Sequence, residues 1–537
     1  MIAQSSQLNA IDYGAILLFL IGTLALGLAI GRRLHTGSDF FLAGRRLPWW
    51  AIGVSLVATD IGGTDIIGVG GTAYTHGLAV ANFEWIGCIP AMIVAAFVFV
   101  PAFYRAGVYT IPEFLERRYN VGVRSILAVC WTLFMACNLG IMLVASAKMM
   151  SSIFGWSEVA CLFATALLVG FYTSVGGLAA VVYTDLIQGV VMIAGCLLVL
   201  VLGLIEVGGI GGLQQRIAEV EAAQTSTISE DALENGSAPE SDTTHLILPV
   251  ETETPFPWPG IYFGLALILS PAYWIGNQAI VQRSLGARSE FDAKASYIWG
   301  ALLKNLIPII VAIPGLIALV LLPDLEDGDR AFPELVGRLL PMGLRGIFVA
   351  AFLAALMSSI DSYLNSASTV VSHDLYRRFF DRDASPHRLL IVGRTTTFCL
   401  VLWAIAFAFY LRSMDDNSGL YSIFQTLMAF FQGPAFAVLV LGIFWRRATG
   451  RAALVGLICG IAVSISLYTL NQPAIYDALG WQPLFQIQDP FLYFSIWSFL
   501  TTAGLTILLS YFTRREPDEK LTYVVGRLGY LTDDSKS

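Results

Sequence analysis

Ser55-Leu-Val-Ala-Thr-Asp-Ile-Gly-Gly-Thr-Asp-Ile-Ile-Gly-Val-Gly-Gly71 is an apolar stretch interrupted by five glycines and by two aspartates, Asp60 and Asp65. The surrounding sequence is apolar for long enough to cross a bilayer, which takes ~20 residues of helix. A helix with that much glycine and charge at mid-length should break. A break frees backbone carbonyls that can ligate a cation, and half-helix ends whose dipoles orient a ligand. Close packing through small residues accounts for the glycines. It does not account for two aspartates, so the segment reads as a broken helix with Asp60, Gly62 and Gly63 at the break.

The rest of the chain fits the same environment. Of 537 residues, 56% are hydrophobic and 13% charged, with mean hydropathy +0.70. Soluble domains carry about twice that share of charge. The net charge of −8 argues against a nucleic-acid partner. Seven cysteines lie scattered through apolar segments with no CxxC pair, and the five histidines show no metal spacing, so zinc, disulfide and redox chemistry find no support. No Lys or Arg precedes the first apolar run, Tyr13 to Ile30, which reads as a retained helix.

Apolar segments of spanning length number about thirteen, near 13–31, 48–73, 83–104, 124–152, 158–178, 184–207, 259–281, 296–323, 343–372, 390–412, 419–445, 451–470 and 491–512. With the N-terminus outside, the cytoplasmic loops carry Lys and Arg after the odd spans other than the fifth: Arg32, Arg33, Arg45 and Arg46; Arg117 and Arg118; Arg283, Arg288 and Lys294; Arg377, Arg378, Arg382 and Arg388; Arg446, Arg447 and Arg451; Arg514 and Arg515. The alternation holds its phase and places the C-terminus inside. The external stretch 208–258 holds nine acids against Arg216 and reads as a solvated, partly flexible cap. Its Asn235-Gly236-Ser237 is a glycosylation sequon in form only. Gly328 to Leu340 reads as a short surface helix, and the tail after 513 as polar and too short for a domain.

Six ionisable residues fall inside apolar spans: Asp60, Asp65, Glu84, Asp185, Lys304 and Asp361. Such groups are costly in lipid and face the bundle interior by default. Lys148 sits near a helix end and is set aside as a snorkelling side chain. In the ninth span, Ala355, Ser358, Ser359 and Ser362 recur at spacings of three and four, hence on one face. Their hard oxygens suit a small cation, although small-residue packing explains them equally well. The seventh span adds Ser270, Tyr273, Trp274, Asn277 and Gln278, a mixture of amides and rings suited to a polyhydroxylated ligand.

These segments resemble the sodium:solute symporter family, in particular its sodium/glucose cotransporter branch. The resemblance rests on Ser38-Asp-Phe-Phe-Leu-Ala-Gly-Arg45, on Phe83-Glu84-Trp85, on Tyr172 to Gln188 with its Tyr-Thr-Asp185, on Asn277-Gln-Ala-Ile-Val-Gln-Arg283, and on Leu356-Met-Ser-Ser359 through Asn365-Ser-Ala-Ser368, in that order. It implies an all-α membrane fold built as an inverted repeat of two five-helix units, 48–207 and 259–445, whose first helices break around Gly62 and Ser270. Residues 1–47 would then be an N-terminal peripheral helix and cytoplasmic loop, 446–513 two peripheral helices and 514–537 a cytoplasmic tail. It further implies a sodium site at the carbonyls of Ala58, Ile61 and Ala355 and the hydroxyls of Ser358 and Ser359. A candidate second sodium would lie near Asp185, Asp361 and Ser362. The solute pocket maps to Asp65, Glu84, Asn138, Ser270, Lys304 and Gln425, with Tyr273 as inner gate. Asp65, Asp60 and Asp361 depart from the residues usual in sugar carriers. Asp65 has three readings: acceptor for sugar hydroxyls, partner of Lys304, or attractor of a cationic solute.

The expectation is therefore a non-enzymatic carrier in a plasma or inner cell membrane, moving a small polar solute with sodium, a sugar or polyol first. The alternatives are a sodium-coupled amino-acid or cationic-amine symporter and, less favoured, a sodium-gated channel or sensor. Nothing in the sequence calls for an obligate protein partner.

Overall fold

In a computed structural model, residues 9–31, 42–173, 178–227, 243–252, 254–413 and 419–524 are described, and they are almost entirely helical. In chain order the helices used below are α1 (Ala10–Gly31), α2 (Trp49–Asp60), α3 (Gly63–His76), α4 (Leu78–Ala106), α5 (Ile111–Arg118), α6 (Val121–Phe154), α7 (Glu158–Thr173), α8 (Leu178–Val207), α9 (Gly209–Thr227), α10 (Gly260–Gly276), α11 (Gln278–Leu285), α12 (Glu290–Lys304), α13 (Ile307–Leu321), α14 (Ala331–Leu339), α15 (Leu344–Phe379), α16 (Pro386–Ser413), α17 (Leu420–Ala429), α18 (Gln432–Phe444), α19 (Gly450–Leu470), α20 (Pro473–Leu479) and α21 (Phe491–Phe512). Among the described residues nine helices are long and apolar enough to cross a membrane, or up to twelve when each of three bent pairs counts as one span. The segment expected at 158–178 is helical over Glu158–Thr173, and 174–177 lie outside the described residues.

The bent pairs give the bundle its character. α2 and α3 meet at 55°, α10 and α11 at 51°, and α17 and α18 at 42°. The first bend falls at Ile61–Gly62, inside the stretch that the aspartates marked. The second falls at Asn277 rather than around Ser270. Residues Gly260–Leu269 wind as a π-helix that runs on into α-helix through Ser270, and the chain turns extended only at Asn277 (ψ 118°). There the Asn277 side-chain oxygen accepts from the Ala279 N–H at 2.9 Å and caps α11. The third bend was not anticipated.

Several loop expectations change. Gly328–Leu340 is not a surface helix: Phe332, Leu335 and Val336 of α14 are fully buried. The stretch 208–258 opens with α9 rather than a loop, and its sequon lies outside the described residues. Two arginines counted as cytoplasmic loop charges are buried. Arg118 donates to the carbonyls of Gly442, Trp445 and Ala448 at 2.8–3.1 Å, satisfying orphan oxygens at the end of α18. Arg283 lies at the centre of the bundle. Lys148 does not snorkel; it pairs with Asp327 and Asp329, both at 2.9 Å. Asp329 also accepts from the Leu420 N–H at 3.1 Å, tying α6 to the start of α17. Burial pushes the Asp329 carboxyl above its ordinary pKa, and Lys148 counters only part of that rise.

Candidate functional site

The break between α2 and α3 is built by hydrogen-bond bookkeeping. The Ile61 N–H donates to Val57 O at 2.9 Å, and the Gly62 N–H to Asp60 O and to the Asp65 carboxylate, both at 3.0 Å. Asp65 thus caps α3 from its third position, where a negative charge suits the positive end of the helix. Gly62 is required by a close approach: a Cβ there would lie 2.7 Å from Ser359 Oγ. Ser359 Oγ donates to Thr59 O at 2.8 Å, and the Thr59 and Ser362 hydroxyls meet at 3.1 Å, so α2 and α15 touch directly at the break.

Among the described residues these bonds use the carbonyls of Val57, Thr59, Asp60 and Gly62 and leave those of Ala58 and Ile61. The Ser358 hydroxyl is fully buried near the Asp185 carboxylate and lacks a hydrogen bond of ordinary geometry. Buried oxygens without donors are the exception in folded proteins. Here they gather where two helices cross, and their chemistry suits sodium, a hard cation that takes neutral oxygens. Ala355 is buried on the same face of α15.

A cavity of about 40 Å³, room for a few waters, lies beside the break. It brings together Asp60, Asp65, Glu84, Asn138, Ser270 and Gln425, along with Tyr273 and Tyr363. Those two tyrosines share a hydrogen bond at 3.2 Å. Lys304 does not line the cavity. It sits behind it, fully buried, paired with Asp60 and with Glu84 and 5.7 Å from the Trp274 ring. The reading of Asp65 as the partner of Lys304 is not met; Asp65 spends one oxygen on the helix cap. Cys88 joins Asp60 and Glu84 with ligand atoms within 4.8 Å of one another, but the Lys304 ammonium already supplies positive charge to both carboxylates. Asn138 is the most telling residue here. Both polar atoms of its amide are buried without a partner, on a side chain that lines the cavity.

The residues mapped to a second sodium are held differently. Asp185 is fully buried and accepts from Ser55 Oγ at 2.5 Å. Arg283 sends its guanidinium into the same place, donating to Ser55 Oγ at 2.7 Å, to Asp185 at 3.2 Å, and to the Thr59 and Ser362 hydroxyls. Asp361 is buried on α15. Sequence reading missed Arg283 by placing it in a loop. Its signal was available: an arginine shortly beyond the aromatic pair Tyr273-Trp274, with no loop residues between them. Tyr363 and Tyr421 went unread because nothing in an apolar run distinguishes a cavity-facing ring from a packed one.

A helical bundle whose broken helices leave unpaired oxygens beside a charged cavity defines a multi-pass membrane carrier. The profile of the sodium:solute symporter family matches residues 40–460, and the chain belongs to that family. It is 33% identical to the mouse (Mus musculus) sodium/glucose cotransporter 4 over 96% of this chain and 78% of that protein. It is 32% identical to the mouse sodium/myo-inositol cotransporter 2 over 97% and 79%. Among solved structures, the substrate-bound, outward-open state of a Na+-coupled sialic acid symporter superposes with a TM-score of 0.77 at 22% identity, covering 94% of this chain and 99% of that one, and so shares its fold.

Proposed function

We propose that this chain carries a sugar or polyol inward with sodium by alternating access, the ion at Ala58, Ile61, Ala355, Ser358 and Ser359 and the solute at Asp65, Glu84, Asn138, Ser270 and Gln425, with Lys304 behind them holding Asp60 and Glu84 and Tyr273 as the inner gate. The observation that carries it is the α2–α15 crossing, where Ser359 bonds to Thr59 O beside the unused carbonyls of Ala58 and Ile61. An ion that bridges two helices favours the arrangement in which they touch, and it must leave when they part. Sodium that bound both arrangements equally would drive nothing. Reciprocity requires solute to tighten sodium in return. We further read 48–207 and 259–445 as the two inverted repeats, about thirteen spans with the N-terminus outside and the C-terminus inside. The sugar assignment draws on the glucose and myo-inositol cotransporters to which the chain is similar. A second reading, a cationic amine, is favoured by one observation: Asp60, Asp65 and Glu84 outnumber Lys304 around the cavity.

The test is uptake into proteoliposomes of sugars, polyols, amino acids and amines with sodium, potassium or choline outside. Ser359→Ala is expected to insert normally and to need several-fold more sodium for half-maximal uptake; unchanged sodium activation removes Ser359 as a ligand. Gln425→Ala is expected to raise the half-saturating solute concentration about tenfold at saturating sodium, as the loss of one buried hydrogen bond to a ligand would. An unaltered value takes Gln425 out of the pocket.

A further inference from the structure

The charges around the central cavity do not balance. Asp60, Asp65 and Glu84 line it, and among the described residues Lys304 is the one base that pairs with any of them. Lys304 holds Asp60 and Glu84, so Asp65 has no cation. Asp65 Oδ2 accepts from the Gly62 N–H at 3.0 Å, and its other oxygen takes no hydrogen bond among the described residues. Sodium at the α2–α15 crossing would offset one of the two surplus negative charges. The remaining one calls for a second cation, because a carboxylate out of water is strongly unfavourable until it is paired. The surplus is particular to this cavity. A larger one, about 500 Å³, lies on the opposite face of α17, and Asp489 is the only charged residue in its described lining.

A second observation says what that cation is attached to. Asn138 is fully buried, lines the same cavity, and has neither its amide nitrogen nor its amide oxygen bonded. An amide presents a donor and an acceptor together, and a hydroxyl group answers either. A bare amine would serve Asp65 and leave Asn138 unpaired. A neutral sugar would serve Asn138 and leave the charge on Asp65 uncompensated. A molecule that carries both an ammonium and hydroxyls satisfies the two residues at once.

We propose that the preferred solute is a protonated amino sugar, and that Asp65 selects it by pairing with the ammonium while Asn138 takes a ring hydroxyl. The inference rests on the sugar-symport reading above and narrows it to a cationic member of that class. At about 40 Å³ the closed cavity is smaller than a hexose, so the solute enters while the walls are apart. Asp65 on α3 and Asn138 on α6 then meet it from two different helices.

The experiment is sodium-driven uptake of labelled D-glucosamine and of D-glucose, which differ only at C2, into proteoliposomes of the full chain. N-acetyl-D-glucosamine, which keeps the nitrogen and loses its charge, is the competitor. An amine of this kind, like an α-amino group, loses its proton near about pH 8, so the comparison is made at about pH 6.5. Glucosamine is expected to half-saturate at a concentration about tenfold or more below that of glucose, the scale of one charge-assisted hydrogen bond. Asp65→Asn keeps an acceptor for the Gly62 N–H and is expected to cut this preference about tenfold or more. Asp60→Asn removes a carboxylate that Lys304 already pairs, and is expected to change the preference far less. Should the Asp65 variant fail to insert, the wild-type protein at about pH 9, where the solute amine is neutral, is expected to lose the preference with glucose uptake as the internal control. The proposal is overturned if glucosamine is not preferred, if N-acetyl-D-glucosamine competes equally well, if Asp65→Asn keeps the preference or Asp60→Asn removes as much of it, or if the preference survives deprotonation of the solute. Glucose uptake without a preference for glucosamine sinks this inference and leaves sugar symport standing; no sodium-driven uptake of either hexose sinks both.

Discussion

Arg283→Gln is expected to destabilise the protein by about 3–5 kcal/mol, the cost of removing one partner from a buried ion pair. Arg283 is 1% exposed, and its guanidinium serves Asp185, Ser55, Thr59 and Ser362 together. These groups sit on α2, α8 and α15, so the arginine on α11 ties four helices at one point. Glutamine keeps a donor but no charge, and Asp185 is left buried with hydroxyls alone. The melting temperature of the purified protein measures the loss. Arg283→Gln with Asp185→Asn should recover part of it, because the uncompensated carboxylate is gone. A second outcome bears on ion binding. The guanidinium stands where a second sodium was mapped, so its removal is expected to make stability rise with added sodium more steeply than in the wild-type protein. A variant that melts like wild type, with the same response to sodium, would show that the pair neither holds the fold nor occupies an ion's place.

That expectation turns on a residue whose surroundings the sequence hid, and the reason is physical. Asp60 and Asp65 announced the broken helix because charge and glycine contradict an apolar span, and contradiction is visible one residue at a time. Ser358 and Ser359 were visible as a face, since helical spacing fixes which side chains align. Which partner each charge takes is a matter of three dimensions. Lys304 had three carboxylates to choose from, and only the approach of α12 to α2 and α4 gives it Asp60 and Glu84 while Asp65 turns to cap Gly62. Arg283 was misread because the positive-inside rule counts arginines without knowing depth. The second bend was placed around Ser270 on the family resemblance, with which the polar residues of the seventh span agreed. Ser270, Tyr273 and Trp274 lie in regular α-helix, and the chain breaks at Asn277, whose side chain can cap α11. The cavity behind α17 had no sequence signal at all, because its walls come from three separate stretches of chain, at 411, 422–430 and 468–494.

Lys304→Met is expected to lower the uptake kcat/KM at least about 30-fold, corresponding to the lower end of the 2–5 kcal/mol lost when one member of a buried charge pair is truncated. Methionine fills the space beside Trp274 but leaves Asp60 and Glu84 facing each other across the cavity edge with no cation. Their repulsion alters the wall against which the solute must bind, and the loss appears in the solute step. Asp60→Asn is the companion measurement. It removes one of two acids and leaves Lys304 with Glu84, so a smaller fall is expected. Lys304 touches neither Ser358 nor Ser359, and stabilisation of Lys304→Met by sodium against heat is expected to persist. Retained sodium stabilisation with lost uptake assigns the lysine to the solute cavity. Loss of both together would mean that the substitution has collapsed the α2–α3 break itself, and wild-type uptake would remove the Asp60–Lys304–Glu84 group from the transport pathway.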